Sequence, residues 1–484
     1  MISRRRFLQS SASLALLPLL PRVVRSADTV VRTRPSWDTF CTGPLYEPFV
    51  AAIGAMRANR GTTTPANWGY WVDVHQSSCP HRSPYFLAWH RGFLYRFEEN
   101  LRTVSGNPDM VLPYWDYYTH PQIPPEFLDT TSPLWRKERT GEDVTEALSL
   151  DPFADDVINF QRGSGNAFEP KLENAPHNPV HNLIGGAMGD VAISPRDPLF
   201  WVHHANIDRL WLAWFEAGDG RHMPRAYQNY WQGSFQYGDA VEEVPRVWAR
   251  NPSRYMFYQY ENETMPAALP PTDPPPSTST ATARAATLST FSLRGTAPLR
   301  PASVGTTALG TSQSLVLDEH SVTVDVALTA QNASQVRSML LRPQAAQATA
   351  KPDPLRLVLD GVQLTGLGAK GGYFYKIYVN LPEQPGVNQP ERTYLLGMLG
   401  SFEIGVAQMQ AAMQGKGMQG MHDMRAAGGK PDVRFVFPMS EALRGIWPTD
   451  LDTLSISFVR ANGRAHPAKG HTIRVKTLRV EADD

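Results

Sequence analysis

The chain has 484 residues, of which 42% are hydrophobic and 19% charged, and its 46 basic and 46 acidic side chains cancel. That length allows two or three domains, and twelve tryptophans add to ample material for apolar cores. A net charge of zero gives no electrostatic footprint for nucleic acid or an anionic membrane, so neither is expected as a partner.

The N-terminus reads as an export signal. Ser3-Arg4-Arg5-Arg6-Phe7-Leu8 is a twin-arginine pattern, followed by an apolar run from Leu14 to Leu20 that is too short to span a bilayer. Residues 1–26 are therefore predicted to be a signal peptide cut after Ser26, with the twin-arginine export machinery as partner and no membrane anchor retained. The expected location is the bacterial periplasm or the medium. That route carries folded proteins, which suits a protein that receives metal before export.

From Trp37 to Met265 the chain is rich in Trp, Phe and His. Phe86, Trp89, Phe93 and Phe97 recur at three- and four-residue steps, as do Ile207, Leu210 and Trp214. Residues 27–264 are thus predicted to be a mainly α domain of helices joined by long loops. Two histidine clusters fall inside it. The first holds His75, His81 and His90; the second holds His177 and His181, four apart on one helical face, then His203 and His204. A single such histidine usually serves as a core residue, but six imidazoles in two clusters amid apolar text would need costly partners if they bound nothing. Three imidazoles per cluster, with no carboxylate between them, suit two copper ions. A cuprous pair has two electrons to give to dioxygen.

The neighbours of these histidines invite structural readings as well. Asp208, one helical turn after His204, can orient a ligand ring or pair with an arginine. Arg91 and Glu98 read as structural partners around the first cluster's helix. His203 is expected to face away, since adjacent helical residues point about 100° apart. Only two cysteines occur, Cys41 and Cys79. In an oxidising compartment they can form a disulfide, or Cys79 can become linked to the ring of His81 two residues on.

Residues 265–290 contain a Pro/Ser/Thr-rich stretch that cannot bury a core and reads as a linker. Beyond it, in 291–484, the apolar period falls to two: Val322-Val324-Val326-Leu328, Leu355-Leu357-Leu359, Val433-Phe435-Phe437, Leu454-Ile456-Phe458 and Ile473-Val475. This predicts an all-β antiparallel sandwich or barrel of roughly seven strands. An insertion, 409–424, carries Met409, Met413, Met418, Met421, Met424 and His422. Soft thioethers there suggest delivery of cuprous copper, against a plain adaptable apolar contact.

His81 through Glu98, with the run Phe86-Leu87-Ala88-Trp89-His90-Arg91-Gly92-Phe93-Leu94-Tyr95-Arg96-Phe97-Glu98, resembles the first copper signature of tyrosinases and catechol oxidases. Asp197 through Asp208 is similar to their second signature, and the likeness extends from Trp37 to Tyr260. It implies a central four-helix bundle in which His75, His81 and His90 hold one copper and His177, His181 and His204 the other. Cys79-Pro80-His81 looks like the Cys-X-His thioether of some members, and Tyr258-Gln259-Tyr260 like the tyrosine motif that closes the catalytic domain. Phe374 through Asn380 is similar to a strand of plant polyphenol oxidases, in which a β domain shields the copper site.

The resemblance implies oxidation of o-diphenols to o-quinones by dioxygen, with phenolic small molecules as substrates. Hydroxylation of monophenols requires help with removing the phenolic proton, which family reasoning assigns to a water held by Glu173 and Asn178. Asn182 can add to it and Glu169 competes with Glu173, while Asn178 can equally be a helix-start amide. A catechol oxidase without monophenolase activity is the alternative, and an oxygen carrier built on the same six histidines is another. A zinc hydrolase fares worse, for want of a carboxylate ligand or base.

Overall fold

The structure, a computed structural model, describes residues 30–61, 63–271, 289–291, 306–341, 353–382, 391–413, 430–446, 451–463 and 469–483. The signal peptide 1–26, most of the linker, and Met418, Met421, His422 and Met424 lie outside the described residues. Among the described residues no helix is long and apolar enough to cross a membrane.

The histidine-bearing region is helical where its sequence repeats at three and four residues. Helices α1 (Tyr46–Ala58), α2 (Trp68–Ser78), α3 (Phe86–Ser105), α4 (Asn178–Ile184) and α5 (Leu199–Glu216) frame the site. Asn67 caps α2, its Oδ1 accepting from the backbone N–H of Gly69 at 2.6 Å. Helix α3 ends at Gly106, whose φ of 65° fits the left-handed stop that glycine tolerates best. Aromatic rings fill the space between α2, α3 and α5: Phe97 stacks on Trp201 at 3.4 Å, and both meet Trp71. The charges buried with them are paired. Arg91 on α3 donates to Asp208 on α5, and Arg34 donates to Glu98.

The C-terminal region is a sandwich of two sheets. Its strands are β1 (Ser289–Phe291), β2 (Thr306–Leu317), β3 (Val322–Ala327), β4 (Leu355–Leu364), β5 (Tyr373–Val379), β6 (Leu395–Gly400), β7 (Val433–Pro438), β8 (Thr453–Asn462) and β9 (Ile473–Asp483). One sheet runs β6-β5-β8-β3-β1 and the other β7-β4-β9-β2. The pairs are antiparallel apart from β1 with β3. In β3 and β7 every second residue is buried, as the period-two pattern requires. Among the described residues nine strands stand where about seven are expected. In β2 the Gly, Ser and Thr residues dilute the alternation, and β6 shows none.

The two regions are joined through backbone hydrogen bonds. Gly186 N–H donates to the Lys370 carbonyl at 2.8 Å, Gly372 N–H to that of Asn182 at 2.7 Å, and Glu142 N–H to that of Gly463 at 2.9 Å. Contact this close depends on Gly185, where a Cβ would fall 2.6 Å from the Lys370 carbonyl oxygen. After β6, helix α6 (Ser401–Met413) runs from the sandwich onto the helical region and packs against α4.

Candidate metal centre

The six predicted histidines come together. His75 lies in the last turn of α2, His81 in the loop that follows, and His90 in the second turn of α3. His177 precedes α4, His181 lies in its last turn, and His204 lies in α5. Within the first group the ring centroids are 5.5 to 5.7 Å apart, and within the second 4.6 to 5.5 Å. The groups adjoin: His90 stacks on His204 at 4.3 Å, and His81 lies 5.7 Å from His177.

Nε2 of His204 is 3.3 Å from Nε2 of both His177 and His181. Nitrogens bound about 2.0 Å from one tetrahedral ion stand roughly 3.3 Å apart, so three of the rings are already at ligand spacing. All six residues are at most 3% exposed. Burial, then the neighbouring imidazoles, push the pKa values of His75, His177, His181 and His204 well below the usual histidine range; burial and His81 do the same to His90. Those rings are therefore neutral, the form that donates a lone pair to a metal.

Three rings have their orientation set by the other nitrogen. Nδ1 of His90 faces the Phe86 carbonyl at 2.8 Å, Nδ1 of His181 the Met188 carbonyl at 2.9 Å, and Nδ1 of His177 the side-chain oxygen of Asn178 at 2.8 Å. Each can donate there and turn Nε2 inward. Both nitrogens of His75 and His81, and Nδ1 of His204, are buried without a hydrogen-bond partner. Bare polar atoms of that kind are costly, and metal coordination would satisfy them. Two buried groups can hold an ion, His75-Cys79-His81-His90 and His177-His181-His203-His204, and neither includes a carboxylate. The donor set fits a dinuclear copper centre.

Several expectations need correction. His203 does not face away: one of its nitrogens joins the second group within 4.8 Å, and its ring lies 4.9 Å from that of His181. The 100° step does turn it from His204, but His177 and His181 flank α5 closely enough to meet it. Asp208 orients no ligand ring. Its carboxylate accepts from Arg91 at 2.5 Å, Tyr258 at 2.6 Å and Tyr260 at 2.8 Å, with Arg34 at 3.5 Å, because the arginines and tyrosines reach it first. Asn178 spends its side-chain oxygen on His177 and not on a helix cap. The two cysteines are not joined to each other: Cys41 sits beside Asp38, and Cys79 Sγ lies 3.4 Å from Nε2 of His90.

Glu173 lies beside His81. One carboxylate oxygen accepts from the Arg82 N–H at 2.7 Å and stands 3.7 Å from Nδ1 of His81; the other pairs with Arg162. Burial alone would raise its pKa, but His81, Arg162 and the Arg82 N–H together hold it below the usual carboxylate range. Glu169 is set further back, accepting from the N–H groups of Leu87 and Arg162. Its burial pushes it up to about 7.

The residue that sequence reasoning missed is Phe402, at the start of α6. It is fully buried, stacks on the His181 ring at 4.2 Å and 14°, and stands edge-on to His81 at 5.3 Å and His177 at 5.6 Å. Farther along α6, the Gln410 side chain donates to the His81 carbonyl at 2.8 Å. Met409 and Val406 pack with Phe402 against Val191, with Met413 alongside. Nothing in the local text around Phe402 marks it, because the contact is made across 221 residues of chain between Phe402 and His181.

Comparison with known proteins agrees with this geometry. The model of the common central domain of tyrosinase matches residues 53–155 and 122–217. A tyrosinase from Streptomyces lincolnensis is 32% identical over 192 residues, which is 30% of this chain and 67% of that protein. A tyrosinase from a Hahella species is 34% identical over 215 residues, 36% of this chain but only 44% of the relative's own length. The structure of latent apple tyrosinase superposes with a TM-score of 0.52 at 17% identity, covering 94% of this chain and 98% of the other. The chain belongs to the tyrosinase and polyphenol oxidase family.

Proposed function

We propose that the chain is a copper-dependent phenol oxidase that takes o-diphenols to o-quinones, two diphenols reducing one dioxygen to two waters, and that it also ortho-hydroxylates monophenols. The observation that carries this reading is the convergence of six buried imidazoles, with His90 stacked on His204 across the two groups. We assign His75, His81 and His90 to one copper and His177, His181 and His204 to the other. A copper pair held there supplies the two-electron chemistry with dioxygen.

The remaining work falls to side chains. Asn178, Phe86 and Met188 hold the Nδ1 sides of His177, His90 and His181, which keeps the metal-facing nitrogens in place. The Glu173 carboxylate, anionic at neutral pH, is the base we assign to the phenolic proton, taken through a water. The ring of the substrate lies on His181, where Phe402 now sits. The region 291–484 accordingly acts as a shield, and full activity requires Phe402 to leave.

The test is copper content followed by oxygen uptake with L-tyrosine and with L-DOPA, before and after proteolysis within 265–290. About two coppers per chain and uptake with both substrates are expected. Uptake with DOPA alone makes the chain a catechol oxidase, and reversible oxygen binding with no quinone makes it a carrier. Three further assignments belong to the same reading. Residues 1–26 direct twin-arginine export to the periplasm or medium, which fractionation of expressing cells checks. Cys79 Sγ becomes bonded to a ring carbon of His81, the two hydrogens lost reducing dioxygen to hydrogen peroxide, so the peptide spanning them should lack two hydrogens in a mass spectrum. Met409, Met413, Met418, Met421, Met424 and His422 assist copper loading, so replacing the methionines should slow metal uptake.

A further inference from the structure

Phe402 and Glu403 stand side by side, a ring on the His181 imidazole and a carboxylate on Asn182. The Glu403 side chain is 7% exposed, and its carboxylate accepts from Asn182 Nδ2 at 2.8 Å and from the Gly400 N–H at 2.9 Å. Asn182 completes the seat with its oxygen, which accepts from the Phe402 N–H at 2.8 Å and the Ser401 hydroxyl at 3.3 Å. The approach is so close that a Cβ on Gly400 would fall 2.5 Å from the Asn182 side chain. Burial holds the Glu403 carboxyl above the ordinary carboxylate range, and the Asn182 side chain, backbone N–H groups and, least of all, the more distant Arg82 charge work against it.

Sorting these partners by region separates what leaves from what stays. Gly400 moves with α6. The His181 ring and the Asn182 carboxamide belong to the helical region and remain when α6 lifts. Left behind is an aromatic shelf with an N–H donor at its edge, which is the complement of an aryl group carrying a carboxylate. A carboxylate that loses water on entering must find such donors or it binds poorly.

We infer that Phe402 and Glu403 imitate the substrate, and that the open site selects phenols bearing a carboxylate, seated on Asn182 while the ring lies on His181. This deepens the phenol-oxidase reading and rests on it for the word substrate. The seat itself needs no metal to be tested.

The full-length chain carrying Phe402→Ala and Glu403→Ala vacates both positions. Metal-free, it should be titrated by calorimetry and thermal shift with phenylacetate, 3-phenylpropanoate and 4-phenylbutanoate, each against its uncharged amide. At least one acid should bind about tenfold tighter than its amide, the scale of a charge-assisted hydrogen bond. No preference for any acid overturns the inference. The single variant Phe402→Ala keeps Glu403 in its seat and should lose the preference; acids that stay tenfold better there bind elsewhere, which also overturns it. If the double variant does not fold by circular dichroism, Phe402→Ala with Glu403→Ser takes its place, with the same expected and overturning results. Absence of oxygen uptake with every catechol would instead sink the oxidase reading and leave this seat untouched.

Discussion

Replacing Phe402 by alanine in the otherwise intact, copper-loaded chain tests the shield directly. The ring is fully buried and stacks on His181 at 4.2 Å, with its edges toward His81 and His177. Truncating a buried phenylalanine costs about 3–5 kcal/mol when the surroundings do not collapse. Much of that loss falls on the contact between α6 and the metal centre, since Phe402 is the side chain that enters it. If activity requires α6 to lift, about 3 kcal/mol less docking energy raises the open fraction by roughly two orders of magnitude, until the open form dominates. The vacated volume also admits a small catechol without lifting. Oxygen uptake with catechol should therefore rise by at least tenfold in the full-length variant at equal copper content. Val406→Ala, one turn farther along α6 and packed on Val191, should give a smaller rise. A folded, copper-replete Phe402→Ala chain no faster than the unaltered protein would refute the shielding argument.

Other expectations follow from the same geometry. His204→Ala removes the ring whose Nε2 lies 3.3 Å from those of both His177 and His181, and should cut bound copper from about two per chain to about one, read by atomic absorption. Asp208→Asn leaves Arg91 without its buried anion, while Arg34 keeps Glu98, and should cost about 3–5 kcal/mol in urea unfolding. Since Asp208 contacts arginines and tyrosines, copper affinity should change by less than about tenfold; a larger loss would restore it as a ring-orienting residue. Glu169, raised to about 7 by burial from its ordinary 4.5, binds its proton more tightly in the folded state. Its contribution is fully present below about pH 4.5 and is lost, by about 3 kcal/mol in total, as pH rises through about 7. Glu169→Gln, which has no proton to lose, should therefore gain stability relative to the unaltered chain between pH 5 and pH 8, and an unchanged difference in unfolding free energy would count against this.

The sequence by itself determined the things that depend on spacing along the chain. His177 and His181 share a face because they are four residues apart, and the Phe86–Phe97 repeat places His90 on a buried helix. The alternation in Val322–Ala327 and Val433–Pro438 likewise announces half-buried strands. The copper reading needed only residue types, since clustered imidazoles without carboxylates leave few metals to choose from. What the tertiary structure decided lies between segments far apart in sequence. Asp208 could orient a ring or pair with arginine, and only the packing of α3 on α5 put Arg91 against it. The helical angle turns His203 from His204, and only the approach of His177 and His181 to α5 brings it into the second group. Phe402 and Glu403 carry no local mark at all: their meaning arises where a helix of the β region crosses onto His181 and Asn182. Helical and strand periods are set by nearest neighbours in the chain and can be read there, whereas the partner of a buried side chain is settled by which surfaces the folded chain brings together.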